Sequence, residues 1–325
     1  MTEFELIARF FTRPSTRAAL GNGDDCALVA PSPGNVFAVT TDTLIEGRHF
    51  LPTIDPARLG RRAVHVNLSD LAAMGAAPRF ALLSLTLPEI NEPWIAAFAQ
   101  GLWSALDAFD VELVGGNTTR GPLAIAITAL GDVPPGAALR RSGATAGDEL
   151  WVSGPLGDAG WALYSLLPDA AVPGGRRPVA TQAQIDRYEC PTARVALGQA
   201  LRGLASSCID ISDGLLSEAR HLATASGVSI DIEMAAIPTS IADCNRQPDA
   251  ALAQQCVLAT GDAYELLFTA PAWRREDVTH CLVAHGLQGA CIGRVVAADA
   301  RPTVRVLDAK SQAMSIAING WDHFA

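Results

Sequence analysis

Apolar residues recur along this chain with two periods, and the elements they predict alternate between helix and strand. Residues 3–11 have the spacing of a short amphipathic helix, and Gly21 to Asp25 form a Gly-Asn-Gly-Asp-Asp turn. Strands are expected at 26–30 and 36–41. Asp55 followed by Pro56 marks a helix start, because Asp can accept from the first free amides and Pro fits the first turn. That helix should run to about Met74, where Gly75 stops it. A strand is expected at 79–87 and a helix at 92–109, with Trp94, Phe98, Leu102 and Leu106 on its core face. Strands at 111–114 and 123–133 flank an expected loop at 115–122.

Pro134-Pro135-Gly136 interrupts the pattern, and the domain boundary is expected just after it, giving domains 1–137 and 138–325. A second series then begins with a strand at 149–153. It continues with a loop at Pro173-Gly174-Gly175, a helix at 192–204, a strand at 207–211, a helix at 215–226 and a strand at 228–233. Strands at 264–269, 291–296 and 303–307 and a helix at 276–285 complete it. Two consecutive mixed sets predict an α/β (α+β) chain of two domains.

Composition narrows the function. The chain of 325 residues is 49% apolar, ample for two cores, with a net charge of −10. That charge argues against a nucleic-acid backbone as partner. No apolar stretch approaches membrane-spanning length, and the N-terminus lacks the apolar core of a secretory signal, so a soluble protein is expected. Seven cysteines without a C-x-x-C pair predict neither a disulfide framework nor a zinc site. Each reads as a small buried hydrophobe, in keeping with a reducing cytosol. Lys310 is the single lysine among 24 basic residues. A lysine-bearing P-loop is absent, so phosphates would have to be met by metal ions, arginine and backbone amides.

The candidate chemistry lies in acidic residues at turns and strand ends. Asp24 and Asp25 follow glycine in the first turn, either as a solvated turn or as a paired ligand. Asp42 is expected to end a strand beside Thr40 and Thr41, either as an ordinary turn or as part of a donor set that suits a hard cation. Asp70 lies within the helix at N-L-S-D-L-A-A-M-G, with Val66, Asn67, Ala73 and Met74 as neighbours, so no local cation offsets it. Either it lies on a narrow polar stripe or it serves a ligand. Asp210, Ser212 and Asp213 fall at a strand-to-helix junction, where they could cap the helix or bind phosphate and metal. Gly115, Gly116, Asn117 and Arg120 occupy a loop able to cradle phosphate, or a plain hairpin. Asp262 and Glu265 flank Tyr264, and Glu265 could simply point outward from a strand.

Ten strings make the chain recognisable: G-N-G-D-D-C-A-L, T-T-D-T-L-I-E-G-R-H-F, N-L-S-D-L-A-A-M-G-A, G-G-N-T-T-R-G, R-R-S-G-A, S-G-P-L-G-D, Pro191-Thr192-Ala193-Arg194, D-I-S-D-G-L, G-D-A-Y-E-L-L-F and G-W-D-H-F. In this order, from residue 21 to 324, they resemble the thiamine-monophosphate kinase family of the aminoimidazole ribonucleotide synthetase superfamily. The resemblance implies a two-domain fold. Its N-terminal mixed sheet binds ATP and several Mg²⁺ ions and pairs across a homodimer, and its C-terminal α/β sandwich completes the substrate site. It implies metal ligation by Asp24, Asp25, Thr40, Thr41, Asp42, Asp70, Asn117, Asp210 and Asp213. Nucleotide contacts would come from Gly115, Gly116, Asn117, Arg141 and Ser212. His49, Asp262 and Trp321 would meet the substrate, and Asp70, Asp210, Asp213 and Arg141 would serve catalysis. Asn117 and Ala263 stand where the family pattern usually has Asp, and Asp262 where it has Glu.

The implied reaction is Mg²⁺-assisted, in-line transfer of the γ-phosphate of ATP to thiamine monophosphate in the cytoplasm, without a membrane or nucleic-acid partner. The acceptor is already a phosphate dianion, so charge neutralisation and positioning should dominate over general-base catalysis. The competing readings are another ATP-dependent synthetase of the same superfamily and a non-catalytic nucleotide binder.

Overall fold

The computed structural model describes residues 2–241 and 250–316. The chain divides into two compact units, Met1–Leu71 with Ala76–Gly136, and Ala72–Gly75 with Ala137–Ala325.

The first unit opens with α1 (Glu3–Leu6), whose Thr2 and Glu5 form a reciprocal capping box. A wider π-type turn continues it through Ile7–Phe11. Four strands follow, β1 (Val36–Ile45), β2 (Ala77–Leu87), β3 (Glu112–Arg120) and β4 (Ala124–Val133), in the sheet order β1-β4-β2-β3. β4 runs antiparallel to both β1 and β2, whereas β2 and β3 are parallel. Helices α2 (Pro56–Ala73) and α3 (Glu92–Ala108) intervene.

These two helices touch backbone to backbone. A Cβ at Gly60 would stand 2.2 Å from the Phe98 carbonyl oxygen, and one at Gly101 only 1.8 Å from that of Ala57. Glycine in mid-helix weakens a helix, and here the close crossing is the return. Ile95, Phe98, Leu102 and Leu106 of α3 and Leu68 and Leu71 of α2 are buried. Trp94 is only half-buried, stacked on Phe98 at 5.3 Å.

The first unit corrects three expectations. No strand forms at 26–30; an isolated bridge joins Leu28 to Leu20, and Cys26 is exposed rather than buried. β1 extends to Ile45, so Asp42 lies within a strand rather than at its end. The expected loop at 115–122 is mostly strand, since β3 runs on to Arg120. Gly115 and Gly116 had suggested a turn. They instead follow a bulge where register with β2 shifts between Ala81 and Leu82. Gly116 has φ 152°, and a Cβ there would come within 1.9 Å of the Leu83 carbonyl oxygen, a conformation and approach that only glycine supplies easily.

The second unit holds a six-stranded sheet of β5 (Asp148–Val152), β6 (Ser207–Asp210), β7 (Val228–Glu233), β8 (Leu266–Pro271), β9 (Ala290–Ala297) and β10 (Val304–Leu307). Its order is β10-β7-β9-β5-β8-β6, with β10 and β7 the parallel pair. The helices are α4 (Asp158–Leu166), α5 (Gln182–Glu189), α6 (Val195–Ala200), α7 (Leu215–Ser226), α8 (Ala250–Ala259) and α9 (Arg275–Ala284). Side chains of α4, α7 and α8, such as Trp161, Leu222 and Val257, form one core with Leu150, Ile209, Ile230 and Leu267. Residues one step along the strands face the other way: Trp151 stacks on Phe268 at 6.4 Å, and α9 packs against β8.

α4, α5 and α8 carried no clear helical signal. The helix expected over 192–204 contracts to six residues, because Pro191 and the turn at Gly203 bracket it. The strand expected from Tyr264 starts at Leu266, since Tyr264 itself has a left-handed φ of 49°. Cys208 and Cys256 are buried, while Cys190, Cys281 and Cys291 are partly exposed; none of these is in a disulfide.

Candidate active site

In the first unit, β1 and α2 bring together the sharpest of the sequence candidates. The Thr40 hydroxyl donates to the Asp70 carboxylate. One helical turn away, the Asn67 side-chain oxygen accepts from the Asp42 amide at 3.0 Å, while its nitrogen donates to the Ala63 carbonyl at 2.9 Å. Asn67 and Asp70 are three residues apart and therefore share the helix face turned toward β1. Asp70 is half-buried, so it is neither sealed in the core nor on a solvated stripe. Thr41 points to the opposite face of the sheet, as strand alternation requires. Its hydroxyl donates to the Ile127 carbonyl and accepts from Thr128, both at 3.1 Å.

His49 closes the turn after β1. Its Nδ1 accepts from the Ile45 amide at 3.0 Å, so the proton of the neutral ring sits on Nε2. Asp24 and Asp25 lie in an exposed turn in which the Asp25 amide donates to the Asp24 carboxylate at 2.9 Å. Asn22 anchors this turn to β3 through the Leu113 carbonyl at 3.3 Å and to the π-type turn through that of Phe11 at 3.2 Å. A small cavity of about 40 Å³ lies there, lined by Phe11, Asn22, Gly115, Gly116, Asn117 and Thr118 among others.

In the second unit, β6 ends on the buried Asp210. Ser212 and Asp213 follow, and neither caps the next helix. The residue preceding α7 is Gly214, and no side chain caps it. The segment 262–264 lies against them: the Asp262 amide donates to the Ser212 carbonyl and the Tyr264 amide to that of Ile211, both at 2.8 Å. A Cβ at Gly261 would stand 1.9 Å from the Ser212 carbonyl oxygen, so the two segments are in backbone contact.

Glu218, one turn into α7, is a participant the sequence reading missed. Its Oε1 accepts from the Asp213 amide at 3.2 Å, whereas Oε2 is buried with no hydrogen-bond partner among the described residues. Burial, and then the Asp213 carboxylate, push the Glu218 carboxyl up to about 8. The only signal in the sequence was a Glu within the helix that follows D-I-S-D-G-L, and ordinary helices carry many such residues.

Glu265 does not point outward. It is 1% exposed and held by Arg194. Arg141 is exposed, and its carbonyl accepts from Ser226 at 3.2 Å. Trp321 and the G-W-D-H-F string lie outside the described residues, as does Cys244. No cluster of three or more His, Cys, Asp or Glu side chains with metal-binding geometry forms among the described residues.

Family comparisons give this geometry its context. Residues 23–133 match the N-terminal domain of the AIR synthase related proteins, and residues 145–305 match their C-terminal domain. Thiamine-monophosphate kinase of Salmonella typhimurium is 42% identical over 332 aligned residues, covering 99% of this chain and 98% of that one. The chain belongs to the thiamine-monophosphate kinase family. The family member from Stenotrophomonas maltophilia K279a superposes with a TM-score of 0.81 at 39% identity, covering 96% of each chain. A complex of AaThiL with AMPPCP and TMP superposes at 0.75 with 31% identity, over 91% of this chain and 89% of that one. Kinases of this family and this chain thus share both domains in order. Among the described residues no helix is long and apolar enough to cross a membrane.

Proposed function

We propose that this protein transfers the γ-phosphate of ATP to the phosphate of thiamine monophosphate, yielding ADP and thiamine diphosphate. The end-to-end relationship to thiamine-monophosphate kinases carries this reading, together with a relative that binds AMPPCP and TMP. An acceptor phosphate oxygen forms the new bond to the γ-phosphorus as the bond to the ADP oxygen breaks. No phosphoenzyme is formed. The acceptor is an anion, so the residues bind, orient and neutralise rather than remove a proton.

The donor chemistry fits Mg²⁺. In the first unit Asp42 and Asp70 offer carboxylate oxygens and Thr40 a hydroxyl, and in the second unit Asp210 and Asp213 offer carboxylate oxygens. Glu218 adds a buried oxygen without a hydrogen bond, in a locally acidic surrounding. Mg²⁺ keeps several waters and takes one or two carboxylates plus substrate phosphates, so an all-protein cage is not required. Bound there, it would offset the repulsion between the two phosphates. Asp24, Asp25 and Asn117 are oxygen donors for a further Mg²⁺ ion, and Thr41 is the member whose side chain faces away. Gly115, Gly116, Ser212 and Arg141 would meet the nucleotide, and His49, Asp262 and Trp321 the acceptor.

We assign the enzyme to the cytoplasm and to a homodimer closed over the free face of the first unit's sheet. That face carries Val39, 62% exposed, Ile45, 42% exposed, and the half-buried Leu82 and Leu130.

Product analysis tests the function. With Mg·ATP and thiamine monophosphate, ADP and thiamine diphosphate should appear one to one, and EDTA should stop the reaction. ATP binding without transfer would sink the proposal and favour the non-catalytic reading.

A further inference from the structure

The second unit ties together side chains from S-G-P-L-G-D, Pro191–Arg194 and D-A-Y-E-L-L-F that the reaction itself leaves without a role. The buried Glu265 carboxylate accepts two bonds from the Arg194 guanidinium, the one from Nε at 2.8 Å. It also accepts from the Ser153 hydroxyl at 2.5 Å and from Arg187 at 3.3 Å. Arg187 continues to the buried Asp158 at 3.2 Å, which Gln184 at 3.3 Å and Ser240 also hold. Ser153 in turn accepts from the Leu266 amide at 2.8 Å. A Cβ at Gly154 would stand 2.7 Å from the Glu265 carboxylate, so the fit leaves no room.

A buried ion network contributes little net stability compared with apolar residues of the same volume. Its location suggests another use. Glu265 directly follows Tyr264 and lies three residues after Asp262, and these two hold left-handed φ values of 49° and 66°. Such non-glycine residues persist only where their surroundings fix them. Their amides, and the Glu265 carbonyl accepting from Ile211 at 2.8 Å, join this turn to the segment carrying Asp210, Ser212 and Asp213.

We propose that Arg194 and Glu265, braced by Ser153 and Arg187, are positioning residues: they clamp the strained 262–264 turn so that Asp262 is held in place for the acceptor. This rests on the kinase reading given above. Three full-length variants test it: Arg194→Lys, which keeps the charge and loses the planar fork, Asp262→Ala, and the two combined. For Arg194→Lys, kcat/KM for thiamine monophosphate should fall at least tenfold, mostly through KM, in a protein that remains folded. The double variant should lose no more than Asp262→Ala alone, because both act through one group. Hydrogen exchange of the Asp262 and Tyr264 amides should quicken at least tenfold in Arg194→Lys.

Unchanged kcat/KM with unchanged exchange, or losses that multiply fully in the double variant, would overturn the proposal. Should Arg194→Lys fail to fold, Arg187→Gln leaves the Arg194 fork in place and should give the same changes at smaller amplitude; their absence there overturns it equally. If the wild-type protein does not phosphorylate thiamine monophosphate, the kinase reading fails, and the exchange rates alone decide whether the clamp exists.

Discussion

Asp70 places a carboxylate on a helix whose neighbouring face is packed, with the Thr40 hydroxyl as donor. A carboxylate and a hydroxyl side by side in a half-buried site are hard oxygen donors of the kind a divalent cation takes. Asp70→Asn keeps an acceptor for Thr40 and removes only the charge. Turnover should fall by roughly 10²–10³ in kcat, the range seen when one charge-stabilising group is lost. Circular dichroism and the melting temperature should stay close to wild type. Near-normal activity would remove Asp70 from the site.

Elements in this chain are tied to each other by single side chains, and Glu112 is the clearest case. At the start of β3 it accepts from Ser15 and Thr16 hydroxyls and from the Thr16 and Arg17 amides, the Thr16 amide at 2.8 Å. It thus fastens the segment after the first helix to the sheet. Arg17 also pairs with Asp110 at 2.5 Å. Partial burial pushes the Glu112 carboxyl up, but these hydrogen bonds outweigh it and bring it from 4.5 down to about 2. A carboxyl depressed by folding contributes stability that is complete above its unfolded value. That contribution is lost as pH falls from about 4.5 toward 2. Glu112→Gln should cost roughly 2 kcal/mol at pH 7, as for hydrogen bonds to a charged group. The gap between variant and wild type in urea titrations should narrow progressively below pH 4.5. A gap independent of pH would mean that the charge contributes nothing.

At the scale of the whole molecule, register decides which groups can meet. Asp42 pairs with Ile127, Ile127 with Leu83, and Leu83 with Gly116, so Asp42 and Gly116 lie in one row at opposite edges of the first sheet. Three strand spacings separate them by roughly 14 Å. The sheet's free face, with Val39 and Ile45 exposed, is the surface a second copy would cover. For the proposed homodimer, Val39→Glu should convert dimer to monomer in analytical ultracentrifugation, since an unpaired charge in such an interface is strongly unfavourable. A wild-type protein that sediments as a monomer would refute the dimer.

Much of this protein is written locally. The turn at Gly21 to Asp25, the capped helices α2 and α3, and β7 and α7 follow from periodicity and end signals, because those depend on near neighbours in the chain. Motif order was enough for the family, and it singled out Asp70, Asp210 and Asp213. What the chain alone left open depended on distant partners. Gly115 and Gly116 look like a turn until β2 lies beside them. Glu265 looks like a surface acid until Arg194, 71 residues away, closes on it. Glu218 has no distinguishing sequence at all, and its character comes from burial beside Asp213. Local pattern reports the conformational preferences of a segment; only the tertiary structure sets its desolvation, its register and its partners.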